Sequence, residues 1–478
     1  MRFRCNIVCL TVVVLFPSFF SQALFGQVVD CGISWDPIQQ LTSGTDQVPS
    51  HLPQIAVSGD TIHIIWYDQD FLGTESNDGV RYCHSYDGGI TFSLPVTVSS
   101  FDTALNQPWI TCSGENVYIG FLGIIDTFYG AVLVRSTDAG STWLSPQRLQ
   151  KFGLPLIVEA YNNNVIILYQ NLIVPDRNGI LLSTDAGSTW SIKSANAPHL
   201  NAMAVSSDKV HGVITTSSPP QDVYYYFSTN LGGFWSFGEV LSREDFTSSQ
   251  QPVIATNGGG DVYGVWNDNG TLMMRRSRKN GLAWLPEVRV SEINTATFAD
   301  VAASEEFVAV VWESKPDTLG NKTLNIRPSN DFGFTFCSTD VPTTSSLVGE
   351  PAIKISGTSL HVVWFETING NDEIMYRHGT LTKNPRIGGK PTQFALKQNY
   401  PNPFNGYTHI NYDVPIQSHV TLTIYDVLGQ QVARLVNTEL LPGRYDAVFS
   451  GSNVSSGVYF YTLQTSTFIE TKKLLIIR

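Results

Sequence analysis

The chain has 478 residues, 42% apolar and only 15% charged, which excludes a disordered chain and asks for more than one core. Its net charge of −12 argues against nucleic acid or an anionic membrane as the main partner. With 39 glycines, 12% aromatic residues and no long amphipathic helical run, the mature chain should be many short strands joined by tight turns, because glycine supplies the φ > 0 positions those turns need.

The first residues are a targeting segment. Arg2 and Arg4 give a basic start, Ile7 to Phe20 is almost continuously apolar, and Ser21 and Ala23 supply small residues for cleavage. Residues 1–23 are therefore expected to be a signal peptide, with a site near Gly26 as the alternative. No later stretch reaches about 18 apolar residues, so the mature chain should be soluble, with no membrane span. Cleavage removes two arginines and no acid, taking the net charge to about −14. Cys5 and Cys9 leave with the signal; Cys31, Cys83, Cys112 and Cys337 remain. Those four could form two disulfides, with three pairings open. None belongs to a CxxC pair, so no zinc site is expected.

Internal repetition at intervals of roughly 45–55 residues follows, a spacing suited to propeller blades. One element pairs two apolar strands around a polar turn. It reads PQIAVSGDTIHIIWYD from Pro53, PWITCSGENVYIGFL from Pro108 and PLIVEAYNNNVIILY from Pro155. It returns from Asn201 (NAMAVSSDKVHGVIT), Pro252 (PVIATNGGGDVYGVWND), Phe298 (FADVAASEEFVAVVWE) and Pro351 (PAIKISGTSLHVVWFE). Apolar positions around Gly, Asp or Asn are a strand–turn–strand signature.

A second element follows every copy but the last. It reads Ser85-Tyr-Asp87-Gly-Gly89-Ile-Thr91-Phe92, then Ser136-Thr-Asp138-Ala-Gly140-Ser-Thr142-Trp143, then Ser183-Thr-Asp185-Ala-Gly187-Ser-Thr189-Trp190. Weaker copies begin at Ser228, Ser277 and Ser329. This S-x-D-x-G-x-T-W pattern resembles the Asp box of the sialidase-like BNR repeat. Its chemistry is that of a folding staple. The carboxylate accepts bonds from the turn's own N–H groups. The glycine takes a left-handed conformation that costs other residues about 1–2 kcal/mol. The aromatic ring should pack between neighbouring sheets. In the resembling family the box lies away from the ligand face.

Trp35-Asp-Pro37-Ile-Gln-Gln-Leu41 resembles Trp284-Leu-Pro286-Glu-Val-Arg-Val290, the outer strand after a box, while the last repeat ends at Ile374–His378 without box or outer strand. Residues 33–42 should therefore complete the last blade and remove its open edge. The expected fold is all-β: an Asp-box β-propeller over residues 31–380, with seven four-stranded blades favoured over six. The sialidases proper have six.

Residues 381–393 (LTKNPRIGGKPTQ) form a polar linker. Strands are expected near Thr408–Val414, Val420–Tyr425, Tyr445–Phe449, Val458–Leu463 and Lys472–Ile477, giving a small C-terminal β-sandwich over residues 394–478. Four blocks occur in order: Asn399-Tyr-Pro-Asn-Pro-Phe-Asn405, Ile424-Tyr-Asp-Val-Leu-Gly429, Ser456-Gly-Val-Tyr-Phe-Tyr461 and Lys472-Lys473 before an apolar end. Together they resemble the type A sorting domain of the type IX secretion system. The resemblance implies a Gram-negative bacterium of the Bacteroidetes kind, the secretion machinery as partner, and passage through the periplasm to the medium or the outer-membrane surface.

The box resemblance raises the question of sialidase chemistry, which needs three arginines to hold a carboxylate bidentately. The mature chain has no arginine before Arg81 and no R-I-P motif. Arg81, Arg135, Arg275, Arg276, Arg327 and Arg377 mostly precede a box or its equivalent, where solvated strand positions are expected. No motif distinguishes a tyrosine nucleophile among 19 tyrosines. Another constellation ends each second strand: Trp66 leads to Asp68 and Asp70, Trp266 to Asp268, Trp312 to Glu313 and Trp364 to Glu366. These carboxylates should emerge opposite the boxes, near the central channel, with Glu75, Asp78, Asp317, Asp372 and Glu373 in the adjoining loops. They could bind sugar hydroxyls, a cation or a basic protein segment, and would repel sialic acid. The plainer reading makes the acids solvating and the tryptophans inter-blade packing. No cofactor or metal is expected. The function expected is a non-catalytic glycan- or protein-binding module, with a rearranged glycoside hydrolase and a surface-layer spacer as rivals.

Overall fold

The computed structural model describes most of residues 33–382 and 393–477; residues 1–32, 43–48, 69–78, 99–107, 341–346 and 383–392, with shorter breaks elsewhere, fall outside it. The signal peptide 1–23 and nearly all of the linker therefore lie outside the described residues. Every regular element among those described is a strand. Two compact units result, one ending at Leu381 and one spanning Thr382–Arg478.

Among its described residues the first unit has seven antiparallel sheets, one after another. The first holds Ser50–Ser58, Thr61–Asp68, Gly79–Ser85 and Val96–Thr97, from inner to outer strand. The next six start from the inner strands Trp109–Ser113, Gly153–Tyr161, Ala202–Val205, Ser249–Thr256, Ala296–Ser304 and Val348–Ser356. Each inner strand packs on the next, and Val348–Ser356 packs on Ser50–Ser58, which closes the ring. The second strands, such as Thr61–Asp68 and Phe307–Ser314, are buried along nearly their whole length. Neighbouring sheets cover both faces, so these strands are continuous apolar runs rather than alternating ones.

The last sheet is completed from the other end of the ring, as the Trp35–Leu41 resemblance predicts. Trp35 pairs with Gly379 and Gln39 with Tyr376. The Arg377 guanidinium lies 5.0 Å from the Trp35 ring, a cation–π contact, and His378 Nδ1 meets Asp36 Oδ2 at 2.7 Å.

The Ser-x-Asp-x-Gly-x-Thr turns are closed by their own side chains. Asp138 Oδ1 accepts Ser136 Oγ at 2.7 Å and Thr142 N at 2.8 Å, Oδ2 accepts Thr142 Oγ1 at 2.6 Å, and Ser136 Oγ accepts Gly140 N at 2.8 Å. The turns at Ser85 and Ser183 repeat these bonds. The bonds from Thr91 and Thr142 hold the Asp87 and Asp138 carboxyls down to about 2.

Three of the turns also lock into the sheet before them. A Cβ on Gly140 would lie 1.7 Å from the Tyr82 hydroxyl, on Gly281 1.7 Å from that of Tyr225, and on Gly89 2.0 Å from that of Tyr376. All three glycines have φ between +72° and +92°: +85° at Gly140, +80° at Gly281 and +92° at Gly89. The aromatic residue ending each turn meets the same tyrosine edge-on: Trp143 on Tyr82, Trp284 on Tyr225 and Phe92 on Tyr376, each at 4.8 Å. Behind each tyrosine hydroxyl stands a buried second-strand histidine, His63, His211 or His361, at 2.7–2.8 Å: 2.8 Å for His63, 2.7 Å for His211 and 2.8 Å for His361. Arg135 and Arg276 are not solvated strand positions. Their guanidiniums cross to the next sheet's turn and donate to Ala186 O and Phe332 O.

The pairing of four cysteines into two disulfides does not hold. Cys83 and Cys112 are free, and Cys337 is disulfide-bonded. Cys83 fills an apolar cluster with Ile64 and Trp66, where a thiol behaves as a small hydrophobe.

The second unit has two antiparallel sheets. Ala395–Leu396, Tyr407–Val414 and Gly443–Ser450 form one; Gln431–Leu440, Ser418–Tyr425, Gly457–Gln464 and Ile469–Ile476 form the other. Ile410, Leu422, Ile424, Phe449, Tyr461 and Leu474 lie in the core they share. Gln431–Leu440 was not anticipated from the sequence; it is an edge strand (QVARLVNTEL) whose mixed residues blur the alternation.

Candidate functional site

Four of the five carboxylates expected to form a binding face are described, and each already has a protein partner. Asp68 is 5% exposed and accepts Ser50 Oγ at 2.7 Å and Arg81 Nε at 2.8 Å. Burial still raises its pKa against these bonds. Glu313, 2% exposed, meets Lys322 Nζ at 3.1 Å. Glu366 is fully buried and accepts Trp364 Nε1 at 2.9 Å. Asp268 is half-buried and accepts Thr247 Oγ1 at 2.8 Å. Asp70, with Glu75 and Asp78, lies outside the described residues. Trp66, Trp266, Trp312 and Trp364 are core residues. Of the four described, Glu313 is the one that lines the cavity in the middle of the ring.

That cavity, about 530 Å³, is walled by six of the inner strands and by Trp109 from the second sheet. Ladder register shows which side chains share a level. Ala56 pairs with His63, Thr111 with Tyr118, Glu159 with Ile166 and Ala204 with His211. Ala255 pairs with Tyr263, Ala302 with Ala309 and Lys354 with His361. These partners occupy equivalent places in their second strands, so Glu159 and Lys354 are the two charged members of a level otherwise made of alanine and threonine. Small side chains at the other positions leave room between them.

Among the described residues neither Glu159 nor Lys354 has a hydrogen bond or close ion pair. Burial pushes the Glu159 carboxyl up to about 7 against the Lys354 ammonium, and nearby Asp300 adds to the rise. Asp300 stands one level higher, with Gln54 and Trp109. It accepts Val301 N at 2.8 Å and Ile353 N at 2.9 Å, yet burial raises it too. Higher still, Glu350 accepts Leu52 N at 2.7 Å across the first and last sheets. Burial raises Glu350, with Glu313 and Asp372 adding to the effect and the Leu52 N–H and His51 opposing it. Leu52, Gln251 and Glu350 each precede a proline with φ of +55°, +50° and +53°, a left-handed backbone strained for such residues.

No arginine lines the cavity among the described residues. Arg81 is held by Asp68, Arg327 by Glu292, Arg275 by Leu285 O, and Arg377 by Asp36 O and the Trp35 ring. With Arg135 and Arg276 committed to the seams, the six arginines do not converge.

In the second unit the sequence blocks meet on one another. Asn399 N donates to Tyr461 Oη at 2.8 Å, and Asn399 Nδ2 donates to Thr408 Oγ1 at 2.9 Å. Asn402 Oδ1 accepts Leu475 N at 2.9 Å, and Phe404, 2% exposed, is pinned between Leu475 O and Ile477 N. The Asn399–Asn405 block is thus riveted to the final strand. The Asp426 turn is closed by Leu428 N and Gln430 N, both 2.9 Å from Asp426 Oδ1, and leaves Leu428 81% exposed.

Residues 398–477 match the family described as the secretion system C-terminal sorting domain. No curated protein shows significant similarity to the chain. Among solved structures, the phage phi92 endosialidase is similar with a TM-score of 0.46 at 10% identity, over 92% of this chain and 87% of that one. A PL25 ulvan lyase gives 0.49 at 12% identity, over 69% and 93%. PorZ of Porphyromonas gingivalis, described as an essential surface component of the type IX secretion system, gives 0.39 at 12% identity, over 89% and 59%. The chain is therefore an all-β protein whose propeller is followed, at residues 398–477, by a secretion-system C-terminal sorting domain.

Proposed function

We propose that this is an exported binding protein: residues 1–23 direct it across the inner membrane, the C-terminal module hands it to the type IX machinery, and the propeller holds a glycan or protein ligand without turning it over. The Ser-x-Asp-x-Gly-x-Thr turns are Asp boxes in this reading, and the C-terminal module is a small sandwich. The observation that carries binding is the central cavity, which Glu159 and Lys354 line without a hydrogen bond or close ion pair among the described residues. The absence of a converging arginine cluster among the described residues speaks against a sialoside substrate.

Two measurements test this. A chain ending before Thr471 loses most of a strand that pairs along its length with Gly457–Gln464, and should stall in the periplasm. Wild-type levels outside the cell would end the sorting role. The full chain should bind on a glycan or protein array yet release no fluorophore from aryl glycosides, including aryl sialosides. A rearranged glycoside hydrolase is the second reading, favoured by the carboxyls of Glu159 and Asp300, which burial keeps more readily protonated. Turnover abolished by Glu159→Gln would establish it.

A further inference from the structure

The polar groups of the cavity constrain what can fill it. At about 530 Å³ it falls within the roughly 300–1,000 Å³ of small-ligand sites. An apolar occupant would desolvate the Glu159 carboxyl and the Lys354 ammonium while offering neither a hydrogen bond, an unfavourable burial of both groups. An anion would face Glu159, Asp300 and Glu350 with only Lys354 to hold it, since Lys322 is already paired with Glu313. A cation would meet the Lys354 ammonium in the same gap. What remains is a neutral group carrying donors and acceptors together on a compact frame, with an apolar face for the Trp109 ring that lines the same space.

We propose that the central cavity binds one neutral pyranose ring, the terminal sugar of a glycan, whose hydroxyls donate to Glu159 and Asp300 and accept from Lys354 while a C–H face lies on Trp109. This rests on the binding reading above and adds the place and the chemical class. Cys112, close enough to feel both charges, is not among the residues lining the cavity, and burial keeps its thiol up at about 12 and neutral. The charged groups around Glu159 are then Lys354 and Asp300. As Glu159 titrates near neutral pH it passes from donor to acceptor, and a hydroxyl serves either form.

The test is titration of the full chain with methyl glycosides of glucose, galactose and mannose, followed by calorimetry and tryptophan fluorescence, with glucuronate and glucosamine as charged comparators. At least one neutral glycoside should bind, and the charged sugars should bind tenfold or more weakly. Glu159→Gln and Lys354→Met should each lower affinity at least tenfold with little change in melting, while Glu115→Gln, in an exposed hairpin turn away from the cavity, leaves it unchanged. Sugar binding indifferent to both cavity substitutions would overturn the site and leave the binding reading standing. Preference for a charged sugar would overturn the class. Failure to bind any of these sugars, with array ligands still bound, would overturn the proposal alone; failure on every array would remove both. A crystal soak of the wild-type chain decides independently if either variant unfolds, sugar density within the cavity supporting the proposal and density elsewhere overturning it.

Discussion

Two regions of the propeller share one level of the ring and treat polar side chains in opposite ways. At the seams between sheets, His63, His211 and His361 back the hydroxyls of Tyr82, Tyr225 and Tyr376, and each tyrosine ends against a glycine turn of the following sheet. One strand inward, across the ladder from Ile166 and His361, Glu159 and Lys354 have no such partners. Seam polar groups are engaged by the fold, which needs them to align one sheet on the next. In the channel the fold engages Asp300, Glu350 and Glu313 but leaves Glu159 and Lys354 without hydrogen bonds, and such groups are where ligand chemistry is to be sought.

The largest way to break the seams is to remove the piece that finishes the last sheet. Deleting residues 31–42 takes away the partners of Tyr376 and Gly379 and should lower the melting temperature by about 5 °C or more; an unchanged transition would mean that the ring is held without them. Next comes Gly140→Ala, which pushes a Cβ into the Tyr82 hydroxyl at φ +85°. The expected loss is about 2–4 kcal/mol by denaturant unfolding. Combining it with Tyr82→Phe should recover part of that loss, so additivity in the double-mutant cycle would show that the clash is not the cause.

Acid sharpens the comparison, because the two regions titrate with opposite sign. Burial lowers His63 from 6.5 to about 4 and His361 to about 3. Between those values and 6.5 the unfolded chain binds more protons, so seam stability falls as pH drops, by on the order of 3 kcal/mol per histidine. Glu159 is raised from 4.5 to about 7, so its contribution improves over part of the same descent. Urea unfolding from pH 7 to pH 4 should show a net loss that shrinks in His63→Gln and deepens in Glu159→Gln. The last effect is Glu159→Gln at pH 8, which removes a charge that burial disfavours in spite of Lys354 and should stabilise by ~1–3 kcal/mol, the buried amide retaining part of the cost. A marked destabilisation there would place Glu159 among the structural residues.

The seams were half legible in the sequence. The turns, their glycines and the strand at Trp35 stand out because they repeat. Their partners do not, because Tyr82 and Gly140 belong to different sheets and only the closed ring brings them together. The channel pair was hidden by a register shift. Counted from the proline that opens each inner strand, Ala56 and Lys354 stand at the third place but Glu159 at the fourth. The bulge that contains Pro351 in the last sheet falls after Pro155 in the third, and this displacement by one residue brings Glu159 level with Lys354. The second-strand carboxylates lie at or near the ends of their strands, but Ser50 and Arg81 on Asp68, Lys322 on Glu313 and Thr247 on Asp268, which occupy three of them, come from neighbouring strands or loops.

Ile33 pairs with Leu381, so the last sheet joins segments that nearly the whole ring separates along the chain. The other sheets draw on nearby stretches and can form as those stretches meet. The last one cannot, and until residues 33–40 arrive the strand Asn371–Leu381 presents an unpaired edge that any matching strand can occupy. Two copies of the chain are then able to trade these segments, each sealing the other's ring. At high concentration during refolding the expected by-product is a strand-exchanged dimer, and a synthetic peptide of residues 31–42 added in excess should suppress it by taking the seat first.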